Sequence, residues 1–196
     1  MSLFLGPIHY WLYNKITLQN KIVNTIIKEL NLENIESELC KNYGLIEEKP
    51  LEQIINTENI HGWLQEKVDI VENRLAYVVK LALEKNQDNL NKIEKIFFDF
   101  GASIKIEGNK DDASIVFKTI EDSILDGMPC DRTKKVIEKN ENIVSWTKNI
   151  CVHEKYWNSL NIDINIYYKL INQFILGVLS NTKLTFEQDD ELNLIK

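Results

Sequence analysis

The chain is short of the residues that break helices. Its 196 residues include only 3 prolines and 7 glycines. So few breakers argue against a many-turned β fold and for long uninterrupted helices. Cysteine is scarce as well: Cys40, Cys130 and Cys151 are odd in number and widely spaced. That excludes a disulfide-stapled scaffold and fits reduced thiols in a cytosol. Positive charge is in deficit, with 23 basic against 30 acidic residues and a net charge of −7. Arg132, Lys134 and Lys135 form the densest basic cluster, and no long basic run exists. Phosphate neutralisation needs a positive face, so nucleic acid and anionic membranes are not expected partners. No apolar run approaches the ~18 residues that span a bilayer. Residues 1–13 are apolar, but they lack a basic segment and a small-residue cleavage site, and Gly6-Pro7 interrupts them. They make a poor secretion signal, and the expected setting is cytoplasmic.

What the chain does have is helical periodicity. Pro7 suits the first position of a helix, and His9, Leu12, Ile16, Val23, Ile26 and Leu30 follow at helical spacing. A shorter helix is expected over residues 31–43, with Gly44 as its stop. Asn56 or Thr57 would cap a third helix whose stripe runs from Ile60 to Ala82. Further helices are expected near residues 90–104 and 113–125. Residues 97–106 also alternate as a strand would, and length favours helix. After the loop Asp126-Gly127-Met128-Pro129-Cys130, Asp131 or Thr133 would cap a long helix to about Leu160. It would align Val136, Ile143, Trp146, Ile150, His153 and Trp157. Asp163 then caps a last apolar helix through Val178. The pattern predicts an all-α fold: an up-down bundle of about six helices in one domain over residues 1–187. Residues 188–196 would be a frayed tail.

One phrase repeats. Ile8-His9-Tyr10-Trp11-Leu12 returns as Ile60-His61-Gly62-Trp63-Leu64, and Lys15 is echoed by Lys67. The echo covers about 21 residues and occurs once, which suggests two similar helices side by side rather than a solenoid. The chain has only 3 histidines, so the repeat holds two of them. If the two repeated helices run parallel and the helix of His153 runs antiparallel, all three imidazoles reach one end of the bundle. Glu58 stands three residues before His61, the Glu-x-x-His spacing of bundle metal sites. His9, His61, His153 and Glu58 are therefore the expected ligands of a divalent transition metal such as Zn or Fe. Ordinary packing histidines at helix starts would give the same pattern.

Three histidines on separate bundle helices resemble the arrangement of the DinB-like metal-dependent helical bundles. The resemblance rests on these histidines alone and implies an all-helical metalloprotein.

Glu58 and Cys130 are the candidates for a catalytic role. Cys130 precedes an expected helix start, where N–H dipoles favour thiolate. A continuous helix of about 20 residues would hold it roughly 30 Å from His153. The alternative to a metal site is a regulatory module that self-associates as a homodimer through an aromatic and apolar face carrying Trp11 and Trp63. A small molecule in a bundle pocket is the other expected partner, with Tyr156, Trp157, Tyr167, Tyr168 and Phe174 as possible walls. No phosphate-binding glycine loop, H-E-x-x-H or G-x-S-x-G motif is present.

Overall fold

The computed structural model describes residues 5–32, 35–189 and 192–196. Parts of the apolar start (1–4), of the expected second helix (33–34) and of the acidic run near the C-terminus (190–191) lie outside these. Two long helices form the spine: α1 (Pro7–Glu29) and α4 (Ile60–Lys85). Pro7 sits in the first turn of α1 as its fixed φ and missing N–H allow. Asn59, not Asn56 or Thr57, caps α4, its side chain accepting from the Gly62 N–H. The two helices lie parallel. His9 contacts His61 at a separation of 52, and Gln19 contacts Glu72 at a separation of 53. Such a near-constant offset along two helices is what parallel packing requires.

Between them run α2 (Ile35–Tyr43) and the single turn α3 (Leu51–Ile54). Gly44 ends α2 at φ +98, a left-handed position that glycine takes without strain. Arg74 of α4, 1% exposed, fixes this connection by donating to Glu36 at 2.8 Å and to the Gly44 carbonyl at 3.2 Å.

Next come α5 (Asn89–Ser103), α6 (Ala113–Ser123) and, later, α8 (Ile164–Leu179). Residues 97–103, ambiguous by pattern, are helical. α5 and α8 meet backbone to backbone. A Cβ on Gly101 would fall 2.1 Å from the Phe174 carbonyl oxygen, and one on Gly177 equally near that of Phe98. Only glycine at both positions permits this approach.

The all-α expectation is wrong. Helix accounts for 58% of the chain, but a four-stranded antiparallel sheet makes the fold mixed α/β. Its order is β1-β2-β4-β3. The expected long helix over 131–160 is instead β1 (Lys134–Lys139), β2 (Val144–Lys148) and the short α7 (Glu154–Asn158). The physical reason lies in Asn140. Its side chain accepts from the N–H groups of Asn142 and Ile143, and its own N–H reaches the Ile143 carbonyl, closing a hairpin turn. Val144 and Trp146, alternate residues on β2, then bury against the helices, as a period of two allows.

The second correction concerns the C-terminus. After β3 (Phe186–Gln188), β4 (Leu192–Ile195) is not a frayed tail but a central strand between β2 and β3. Ile195 is fully buried and Asn193 nearly so. Among the described residues, no helix is long and apolar enough to cross a membrane.

Candidate functional site

Two residues break the apolar stripes of the spine helices. Gln19 follows Ile16 by three and precedes Val23 by four; Glu72 stands likewise between Val68 and Leu75. Both are buried, Glu72 at 1% exposure. A buried polar group needs a partner. Gln19 Nε2 donates to Glu72 Oε1 at 2.9 Å. The other oxygen of Glu72 accepts from His153 Nδ1 at 2.9 Å.

His153 precedes α7 and is 2% exposed. Its second nitrogen, Nε2, lies 3.1 Å from Asp126 Oδ1 in the loop after α6. Its ring stacks on Tyr167 of α8, with centroids 4.0 Å apart, and the Tyr167 hydroxyl approaches Nε2 at 3.0 Å. Burial acts to discharge this imidazole, but the negative charge of Glu72 and the hydrogen bond His153 donates to Asp126 outweigh it. The pKa is pushed up to about 10. His153 is therefore an imidazolium at neutral pH, donating from both nitrogens.

The array continues past Asp126. Its Oδ2 accepts from Thr133 Oγ1 at 2.7 Å and pairs with Lys134 Nζ at 3.1 Å. Lys134 also pairs with Glu121 of α6. Burial would raise the Asp126 pKa, but the hydrogen bond to His153 and the charge of Lys134 hold its carboxyl well below the usual range. Burial likewise works against charge on Lys134, and Asp126 and Glu121 more than offset it. Side chains from α1, α4, α6, the loop after it, β1 and α8 thus meet in one network, buried at Gln19, Glu72 and His153 and half-buried at Asp126, Lys134 and Glu121.

Three clefts meet at this network. The sheet-side cleft runs between α6, α8 and the sheet, with His153, Asp126 and Lys134 in its wall. Its water-accessible space is about 60 Å³, room for roughly four waters. An acidic cleft of about 390 Å³ has Asp69, Glu72, Asp131 and His153 on its surface. A loop-side cleft of about 160 Å³ lies between α1, α6 and residues 126–134.

The structure brings together two of the expected metal ligands and leaves the others apart. His9 Nε2 and His61 Nε2 are 3.4 Å apart. His153 instead belongs to the Glu72 end of the spine, eleven residues and about 16 Å further along α4. Glu58 is exposed in the turn before α4. Among the described residues, no three His, Cys, Asp or Glu side chains are grouped to hold a metal ion. The chemistry agrees. Gly6 N–H donates to His9 Nδ1 at 2.9 Å, so the neutral ring carries its proton on Nε2, facing His61. Ligation through Nε2 requires the opposite arrangement, with the other nitrogen donating outward. His153 has both nitrogens committed to carboxylates.

Cys130 is a free, exposed thiol on the turn before β1. The helix expected to separate it from His153 does not exist. Trp11 is half-buried, with its indole N–H bonded to Asp122 at 2.8 Å and Lys15 Nζ over its ring. Trp63 packs on Tyr13 and carries Lys67. Neither ring is a bare apolar patch.

No known protein family matches the chain, and neither a curated protein nor a solved structure matches it. With the mixed fold and the separated histidines, the resemblance to DinB-like bundles loses its basis. Of the residues that build the network, His153 and Tyr167 were singled out from the sequence, and the others were missed. Gln19 and Glu72 were visible as polar interruptions of apolar stripes. Asp126 carried no signal beyond its place in a loop.

Proposed function

We propose that the protein binds a small planar anion in the sheet-side cleft. The observation that carries this reading is the pairing of aromatic walls with a cation that lacks a carboxylate partner. Trp146, Tyr167 and Tyr168 offer ring surface to the cleft. Lys148 is exposed at its edge, with Nζ 3.6 Å from the centroid of Tyr168. Among the described residues it has no ion pair. A mostly apolar cleft with a few convergent polar groups is the usual form of a small-molecule site.

The network behind the cleft supports the same reading. Its charges already satisfy one another, so they orient a ligand without demanding a counter-ion. The amide chain Asn172–Gln188–Asn193 fixes the far wall, through hydrogen bonds of 2.6 and 2.8 Å. Four waters fill about 120 Å³ of liquid, the size of one six-membered ring. The proposed ligand is therefore a single-ring carboxylate or smaller.

Calorimetry with a panel of benzoate-like carboxylates and their neutral amides tests this. The carboxylates bind and the amides bind more weakly. Lys148→Ala weakens carboxylate binding about tenfold, the loss of one exposed charge-assisted contact. Absence of binding across the panel, or an unchanged affinity in Lys148→Ala, contradicts the proposal.

A further inference from the structure

Lys15 is a lysine on the buried face of α1, 5% exposed, in the wall of the loop-side cleft. Its Nζ lies 3.4 Å from the centroid of the Trp11 ring. Trp11 is itself held in place by Asp122. Among the described residues Lys15 makes no hydrogen bond and no ion pair. Buried lysines are almost always paired, so an unpaired amine facing a cleft calls for explanation. Lys134, which lines the same cleft, takes both Glu121 and Asp126. The acids that could have neutralised Lys15 are thus already engaged.

The same cleft is lined by Arg132, exposed and also without an ion pair among the described residues. A side chain with five N–H donors in a fork is suited to a carboxylate. The cleft has about 160 Å³ of water-accessible space, enough for a molecule of several heavy atoms.

We infer that Lys15 is a nucleophilic amine that captures a small 2-oxo acid as an imine, with Arg132 receiving the acid's carboxylate. The Lys15 nitrogen adds to the carbonyl carbon and forms a C–N bond. The carbonyl oxygen leaves as water, taking both amine protons, and a C=N bond remains. No oxidant or reductant is needed. This inference concerns a different cleft from the anion site above and does not rest on it.

The environment favours the reactive form of the amine. Burial lowers its pKa to about 8, even though Glu121, Asp126 and Asp122 pull in the other direction; Lys134 adds to the lowering. At pH 7 about a tenth of such an amine is uncharged, roughly 200 times the fraction for an ordinary lysine. A lysine desolvated beside another cation is a known way to make a nucleophile.

The repeat supplies an internal control. Lys67 occupies the matching place in α4, also over a tryptophan, but it is half-buried and pairs with the exposed Glu66. Incubate the full chain with pyruvate or acetaldehyde and sodium cyanoborohydride at pH 7.5, then map the reduced adducts by mass spectrometry. With pyruvate, Lys15 is labelled at least tenfold faster than Lys67, and the rate rises with a midpoint near pH 8. Arg132→Ala slows labelling by pyruvate but not by acetaldehyde. Labelling of Lys15 no faster than that of Lys67 overturns the inference. So does equal slowing of both reagents by Arg132→Ala, which removes the carboxylate's role. The first comparison uses the unaltered protein, so it holds even if a variant fails to fold.

Discussion

At one end of the α1–α4 pair His9 meets His61; about three turns along, Gln19 meets Glu72. Both contacts join the same two helices at nearly the same offset. The first lies at the edge of the molecule, with His61 exposed. The second is buried, and there Glu72 gains His153 and, through it, Asp126. A helix pair that brings polar groups together does not by itself make a site. The segment that carries His153 does, by packing on α4 and supplying Glu72 with a counter-charge. The same contrast separates Lys15 from Lys67. They match in the repeat, both over tryptophan, yet one is buried without an ion pair and the other, half-buried, pairs with the exposed Glu66.

The largest expected effect comes at the buried end. His153→Leu leaves the buried Glu72 carboxylate without its cation and removes one of the two cations that hold Asp126. It should lower stability by about 3–5 kcal/mol in urea denaturation. His61→Ala, at the exposed end, should change it by less than about 1 kcal/mol. If the two variants lose the same amount, the distinction between the two ends fails.

Next in size is the response to pH. The folded pKa of His153, about 10, lies above the imidazole value of roughly 6.5. Its stabilisation is complete below pH ~6.5 and is lost as pH climbs towards 10. Lys15 has the opposite sign, since its folded pKa of about 8 lies below the ordinary lysine value of roughly 10.4. In that interval the unfolded chain binds more protons, so Lys15 adds stability as pH rises. Lys15→Met should therefore fall in stability more steeply between pH 8 and 10 than the unaltered protein does. Melting curves across that range show whether the two trends oppose each other.

A smaller effect is expected from Lys15→Met at pH 7. Removing a desolvated charge should raise stability by about 1–3 kcal/mol, less the cation–π contact with Trp11. Lys67→Met should stay within about 0.5 kcal/mol of the unaltered protein. A destabilised Lys15→Met would show that the Trp11 contact outweighs burial.

Most helices were legible because their stripes are long and their ends chemically marked. Pro7, Gly44 and Asp163 each stand where the chain needs them. The strands were not. Val136, Ile143, Trp146 and Ile150 satisfy helical spacing by coincidence, and the turn at Asn140 was the overlooked sign against a helix. β4 pairs with β2 across more than forty residues, so no local pattern announces it. The site suffered most from this. His153 was placed on a long helix, whereas it lies in the loop between β2 and α7 and reaches Glu72 of α4. Its partners could be found only as polar residues on apolar stripes, and that signal names a burial rather than a chemistry.

Nitrogen-15 NMR of the imidazole rings at pH 8.5 tests the account most directly. His153 should show both ring nitrogens protonated, with each proton slow to exchange, as a buried cation clamped by Glu72 and Asp126 must. A neutral His153 ring at that pH, with one bare nitrogen, would contradict the account and reopen that residue to ligand or base chemistry.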